Sequence, residues 1–227
     1  MRTITKLLLF GFVIVFTACQ KDKDSARRNT SGNTGGTGST TNIEGDYDFV
    51  GIVAYTESSV TVNRAGTEIK AVTVMAYATK NNNGTMKITS DQLIDTNLAY
   101  SIDTIVNVKT YWDNVLVDDS NFSSVASTPP ASSISTYVRN SADSITITRT
   151  PGIVSDLFNS IPIPPAPQIS TGFANFAPEK MGVKLSWSGD TLLLKVNSRY
   201  SQSVSQFGGP PGTLVGSVNG MIRLKKH

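Results

Sequence analysis

Residues 46–55 read DYDFVGIVAY. Alternate positions hold Tyr47, Phe49, Gly51 and Val53, so an extended chain places these four on one face. Such period-two spacing marks a strand with one face buried and the other wet, the habit of antiparallel sheets. The same rhythm recurs outward from this stretch. AVTVMAYAT (71–79) puts Val72, Val74, Ala76 and Ala78 on one face. TMKIT (85–89) alternates Met86 and Ile88 with Thr and Lys, and YSIDTIVNV (100–108) aligns Tyr100, Ile102, Val106 and Val108. SITIT (144–148) and VKLSW (183–187) alternate in the same way, while TLLLKVNSRY (191–200) and LVGSVNGMIRLK (214–225) are longer candidates.

The residues between these runs favour turns. NNNG (81–84) and SGD (188–190) are read as tight hairpins, because Asn and Gly accept positive φ. GGPPG (208–212) breaks the chain before the last strand. Helix is scarce: GIVSDLFNS (152–160) has room for one or two turns, and IPIPPAPQ (161–168) is too rich in Pro for any. Eight to ten short strands joined by turns predict an all-β fold, an antiparallel barrel with a β-sandwich as the alternative. The segment 149–180 interrupts the rhythm and carries Phe158, Phe173 and Phe176. Two readings stand for it: a cover packed over one barrel end, or aromatics gating a pocket.

The chain is 39% hydrophobic and 16% charged, a polar balance that suits a β-rich, loop-rich protein. Its formal charge is +3, and Arg2 and Lys6 account for two of the positives. No basic stripe with interleaved aromatics is visible along the sequence, so nucleic acid is not an expected partner. Arg2 and Lys6 precede LLLFGFVIVF (7–16), and Thr17, Ala18 and Cys19 follow it. Charged, apolar, then small is the order of a secretory signal peptide, expected over residues 1–18. Ten apolar residues are about half of what spans a bilayer. Cys19 is the single cysteine, so no intramolecular disulfide exists. Residues 29–42, NTSGNTGGTGSTTN, hold nothing that builds a core. Residues 19–42 are therefore read as a tether, whose 23 residues from Gln20 to Asn42 reach roughly 25–30 Å as a random coil. Residues 43–227 fit one β-domain.

FTAC (16–19) resembles the lipobox of bacterial lipoproteins, with Phe16 where Leu is usual. The resemblance implies an acylated Cys19 at the start of the mature chain, a palmitate-type anchor and an outer-membrane location. Stable anchoring takes more than one acyl chain. QKDKDSARR (20–28), with Lys21 second after the cysteine, resembles export signals of surface lipoproteins of Bacteroidetes-type bacteria. It also reads as the solvated start of a tether. IEGDYDFVGIVA (43–54) resembles the first strand of lipocalin-like barrels, with Gly45 in place and Tyr47 where Trp is usual. That family has an Arg on its last strand covering the ring, which points to Arg223 in GMIRLKK. The resemblance implies a barrel-closing Tyr47–Arg223 pair and a cavity for a small apolar ligand. DSA, DTI, DSI and DTL resemble Bacteroidetes O-glycosylation sites, which would fall on Ser25, Thr104, Ser144 and Thr191. The same triplets also serve where a turn enters a strand.

No constellation for catalysis emerges. The one histidine, His227, is the last residue, and one His with one Cys gives no zinc spacing. No cofactor motif is present: SGNTGGTGST (31–40) lacks the Lys of a phosphate loop. Carboxylates are the remaining chemistry, 13 Asp and 4 Glu, with Asp46 and Asp48 on one strand face and Asp118 beside Asp119. DDSN (118–121) lacks EF-hand spacing. The expectation is a membrane-anchored, non-catalytic protein that binds a small apolar ligand or a surface component. The alternatives are an adhesion-type sandwich without a pocket and a carboxylate-based hydrolase.

Overall fold

A computed structural model of the chain describes residues 42–148, 179–205 and 211–227. In chain order its strands are β1 (Gly45–Arg64), β2 (Thr67–Ala78), β3 (Lys80–Ile88), β4 (Gln92–Trp112), β5 (Val115–Ser141), β6 (Ser144–Thr148), β7 (Lys180–Ser188), β8 (Thr191–Ser205) and β9 (Pro211–Lys226). All pair antiparallel in one sheet, and β9 returns to pair with β1, so the sheet closes into a ring. β2 and β3 lie end to end in a single slot between β1 and β4. The all-β, barrel-like expectation is therefore what the chain adopts, and one continuous closed sheet replaces the sandwich alternative.

The interior is built from the alternating residues. Ile145 and Ile147, Met181 to Leu185, Leu192 to Val196, and Val218, Ile222 and Leu224 supply buried side chains from β6 to β9. The opposite wall contributes Tyr100, Ile102, Val106 and Val108 from β4. On β1 the expected face holds only in part. Tyr47 and Phe49 point inward, but the register shifts between Phe49 and Gly51, and from there Ile52 and Ala54 are buried while Val53 is exposed. One extra residue in a strand moves every later side chain to the other face. Gly51 is required at that bulge: its φ is +140°, and a Cβ there would stand 2.6 Å from the Asn82 side chain and 2.9 Å from Thr79 Oγ1. Val72, Val74, Ala76 and Ala78 do share a face, but it is the outer one; Thr73, Met75 and Tyr77 face the core.

The turns divide into two kinds. SGD reverses the chain as expected, with Gly189 at φ +61° between paired Ser188 and Thr191. NNNG does not. Asn81 and Gly84 have positive φ, yet the strand runs on through two register shifts. The kink is held by Asn82 Nδ2, which donates to the Val50 and Thr79 carbonyls at 2.8 and 3.2 Å. Ala65–Gly66 and Asp113–Asn114 also reverse the chain tightly, each with positive φ at both central residues, the twist that suits a two-residue hairpin, and Ala142–Asp143 does so without it. β5 is the strand the apolar pattern hides. Its 27 residues are mostly Ser, Thr, Asn and exposed aliphatics, and Pro129 and Pro130 sit where its register with β4 shifts, a position that tolerates a missing N–H.

Candidate functional site

One end of the ring is sealed by residues from both chain ends. Tyr47 is fully buried, and its hydroxyl donates to the Ile43 carbonyl at 2.5 Å. Its ring lies 6.4 Å from that of Trp187. Lys226 Nζ stands 5.9 Å from the Tyr47 ring centre and 5.8 Å from that of Trp187, a cation–π arrangement over two rings. The same ammonium donates to the Glu44 carbonyl at 3.3 Å. Gly45 makes room for it, since a Cβ there would meet Lys226 Cε at 3.1 Å. Desolvation pushes the Tyr47 phenol up to about 12, with a smaller contribution from Tyr137. His227 closes the rim, 2.8 Å from Asp48.

The expected Tyr47–Arg223 pair does not form. Ile222 and Leu224 are both buried, so Arg223 between them faces outward, opposite Gly51 and Leu193. The cation that reaches the aromatic end is Lys226, three residues later. The odd spacing decides this, because positions three apart on a strand lie on opposite faces.

Above the sealed end, the inner wall of β1 and β9 is made of small residues. Ala54 pairs with Gly220, Thr56 with Val218 and Ser58 with Gly216. The row of Thr56 continues along the sheet to Met75 on β2 and Val106 on β4, and Ile102 is buried further along β4. Tyr200 lies over Gly216, at a point where any Cβ would collide with its ring. Burial raises the Tyr200 phenol to about 12. Thr73, paired with Ser58, is buried and its hydroxyl has no hydrogen-bond partner. This hydroxyl-bearing row was not singled out in the sequence; period-two spacing of Thr and Ser on β1 and β2 was the available signal.

The acids expected as chemistry are dispersed. Asp46 and Asp48 are both exposed on the outer face. Asp118 accepts from Ser120 Oγ, and Asp119 pairs with Lys109 at 3.6 Å and accepts from Asn107. Among the described residues no three His, Cys, Asp or Glu side chains gather as metal ligands. Thr104 Oγ1 donates to the Ala76 carbonyl at 2.7 Å, Ser144 bonds the Ser141 hydroxyl at 2.7 Å, and Thr191 donates to Asp190 at 3.2 Å. Cys19, Ser25, Phe158, Phe173 and Phe176 lie outside the described residues. Among the described residues no helix is long and apolar enough to cross a membrane. Comparison with known protein families and with characterised proteins finds no match to this chain.

Proposed function

We propose that this chain is a lipid-anchored, non-catalytic binding protein of the outer membrane, whose lipocalin-like ring holds a small apolar ligand or a surface component. The observation that carries the reading is the β1–β9 inner wall. Ala54, Gly216 and Gly220 withdraw side-chain bulk there, and the apolar Met75 and Val106 continue the same inner wall on β2 and β4. An apolar lining with a few polar groups suits a small-molecule site, and Ser58, Thr73 and Tyr200 supply the polar groups. The sealed end supports the lipocalin resemblance in part, with Gly45 beside Tyr47 and a cation from the last strand over its ring. Lys226 fills the role first expected of Arg223.

The anchor rests on the lone Cys19 after its apolar run. The chain joins the ring at the sealed end, where Ile43 is buried beside Tyr47. Two measurements test the reading separately. Cys19→Ser should move the protein from the membrane to the soluble fraction; unchanged fractionation removes the anchor. Mass spectrometry of an organic extract of the protein, purified from its native host, should find a stoichiometric small molecule. An extract without one removes the apolar ligand.

A further inference from the structure

We propose that the outer face of β6–β9 binds an acidic polysaccharide. These four strands contain no Asp or Glu. Their outward positions carry Lys180, Lys184, Lys195, Arg199, Arg223 and Lys225, each flanked in sequence by residues of the inner face. Lys184 stands directly across from Lys195. Like charges opposite one another on a sheet repel, and a bound anion relieves that. The acids that approach lie at the margins: Glu179 immediately before β7, Asp143 and Asp190 in turns, and Asp46, Asp48 and Glu57 on β1. Asp143 is held below the usual carboxylate range chiefly by the Ser141 hydroxyl and in smaller part by Lys184. Asp190 pairs with Lys225 at 3.7 Å, and Asp48 with His227. Glu57 is separated from Arg199 by Ser217 on the strand between them. Among the described residues no carboxylate forms an ion pair with Lys184, Lys195 or Arg199.

The shape of the face identifies the polymer. A groove of about 500 Å³ is lined by Lys184 and Lys195 together with Asn140, Gly182, Asn197 and Asn219. A Cβ on Gly182 would meet nothing within 4 Å, so the floor is open. A second groove of about 630 Å³ shares Lys195 and Asn219 and ends on the half-exposed Tyr55 ring. Asn140 already donates one N–H to Thr146 Oγ1 at 2.8 Å, and amides carry donors and an acceptor that suit hydroxyl groups, while the lysines suit carboxylates. Nucleic acid would call for a series of exposed stacking rings; two tyrosines line these grooves, and Tyr77 is buried, which leaves Tyr55 alone open to a base. A membrane surface would call for large apolar side chains among the cations; Gly182 and Asn197 stand beside Lys184 and Lys195 in the first groove, and Val53 and Met221 line only the second. Binding here is independent of the anchor and of the ring interior.

The test is calorimetric titration of the full mature chain, in neutral detergent micelles, with polygalacturonate. Neutral dextran, single-stranded DNA and phosphatidylglycerol-doped micelles are the comparisons. Polygalacturonate should bind, dextran should not, and added salt should weaken the affinity. Lys184→Gln with Lys195→Gln should weaken it about tenfold or more, about 1.4 kcal/mol per tenfold. Lys70→Gln with Lys87→Gln, on the other wall, should leave it within about twofold, on the modest strength of exposed charges. Asn197→Ala, which changes no charge, should weaken it several-fold while the melting temperature holds. The proposal is overturned by any of three results: no polygalacturonate binding at low salt, equal losses in the two lysine pairs, or DNA or anionic micelles binding as tightly.

Discussion

β9 and β5 belong to the same sheet, yet different forces hold them. Along β9 every second residue from Gly212 to Leu224 is buried, and the strand is paired on both edges, with β8 and β1. Along β5 no residue before Ser135 is buried, and Val115, Leu116, Val117, Phe122 and Val125 are all exposed. β5 runs instead on its backbone ladder with β4, pinned by local pairs such as Asn107 with Asn121 at 3.1 Å. β9 is stabilised by burial, which is large and non-directional. β5 is stabilised by hydrogen bonds and cross-strand contacts, each worth a fraction of that.

The contrast is broken most directly by truncating one apolar side chain on each side of it. Leu194, fully buried against β9, should cost about 2–5 kcal/mol as Leu194→Ala. Phe122→Ala on β5 should cost under about 1 kcal/mol, because the ring is already 48% exposed. Urea denaturation measures both; equal losses would show that β5 is buried after all.

A second variant sharpens the picture of how tightly the β9 side is packed. Gly216→Ala drives a methyl into the Tyr200 ring and should cost about 1–3 kcal/mol. Tyr200→Ala in the same chain should recover part of that loss, and a strictly additive double mutant would contradict the contact. The smallest effect concerns pH. The folded phenols of Tyr47 and Tyr200 sit at about 12, above the ordinary 10. A raised folded value means that their contribution is complete below pH 10 and is lost as pH climbs toward 12. Stability should therefore fall over that window. Tyr47→Phe should flatten the fall while costing about 1 kcal/mol at neutral pH for the lost bond to Ile43. A thermal-melt series across the window reads the slope; an unchanged slope in Tyr47→Phe would remove that residue from the account.

The parts of the fold legible in the sequence are those where burial imposed a strict alternation. Ile145 with Ile147, Val183 with Leu185, and Leu192 with Leu194 are readable because one face of each strand meets the core. β5 is not readable, because a strand with both faces largely wet carries no apolar period. The NNNG stretch misleads because positive φ serves two ends: it reverses a chain at a hairpin and merely kinks one at a bulge. At the sealed end, Gly45 and Tyr47 were visible and the partner cation was not. Arg223, Lys225 and Lys226 are all available in the sequence, and only the register of β9 against β1 selects Lys226. The basic face was hidden for a similar reason. Its cations are scattered among apolar residues on three strands, β7 to β9, and pairing brings them into neighbouring rows.

The sequence by itself determined that the chain is β-rich, that no intramolecular disulfide staples it, and that its lone cysteine lies between an apolar run and a polar tether. These follow from composition and local period, which depend on near neighbours in the chain. Tertiary structure decided that the sheet closes through β9 on β1, that the Gly51 bulge turns Val53 outward, and that Lys226 rather than Arg223 covers Tyr47. The physical reason is parity. A strand fixes which residues share a face, but only the strands beside it, with their bulges and registers, decide which face looks inward.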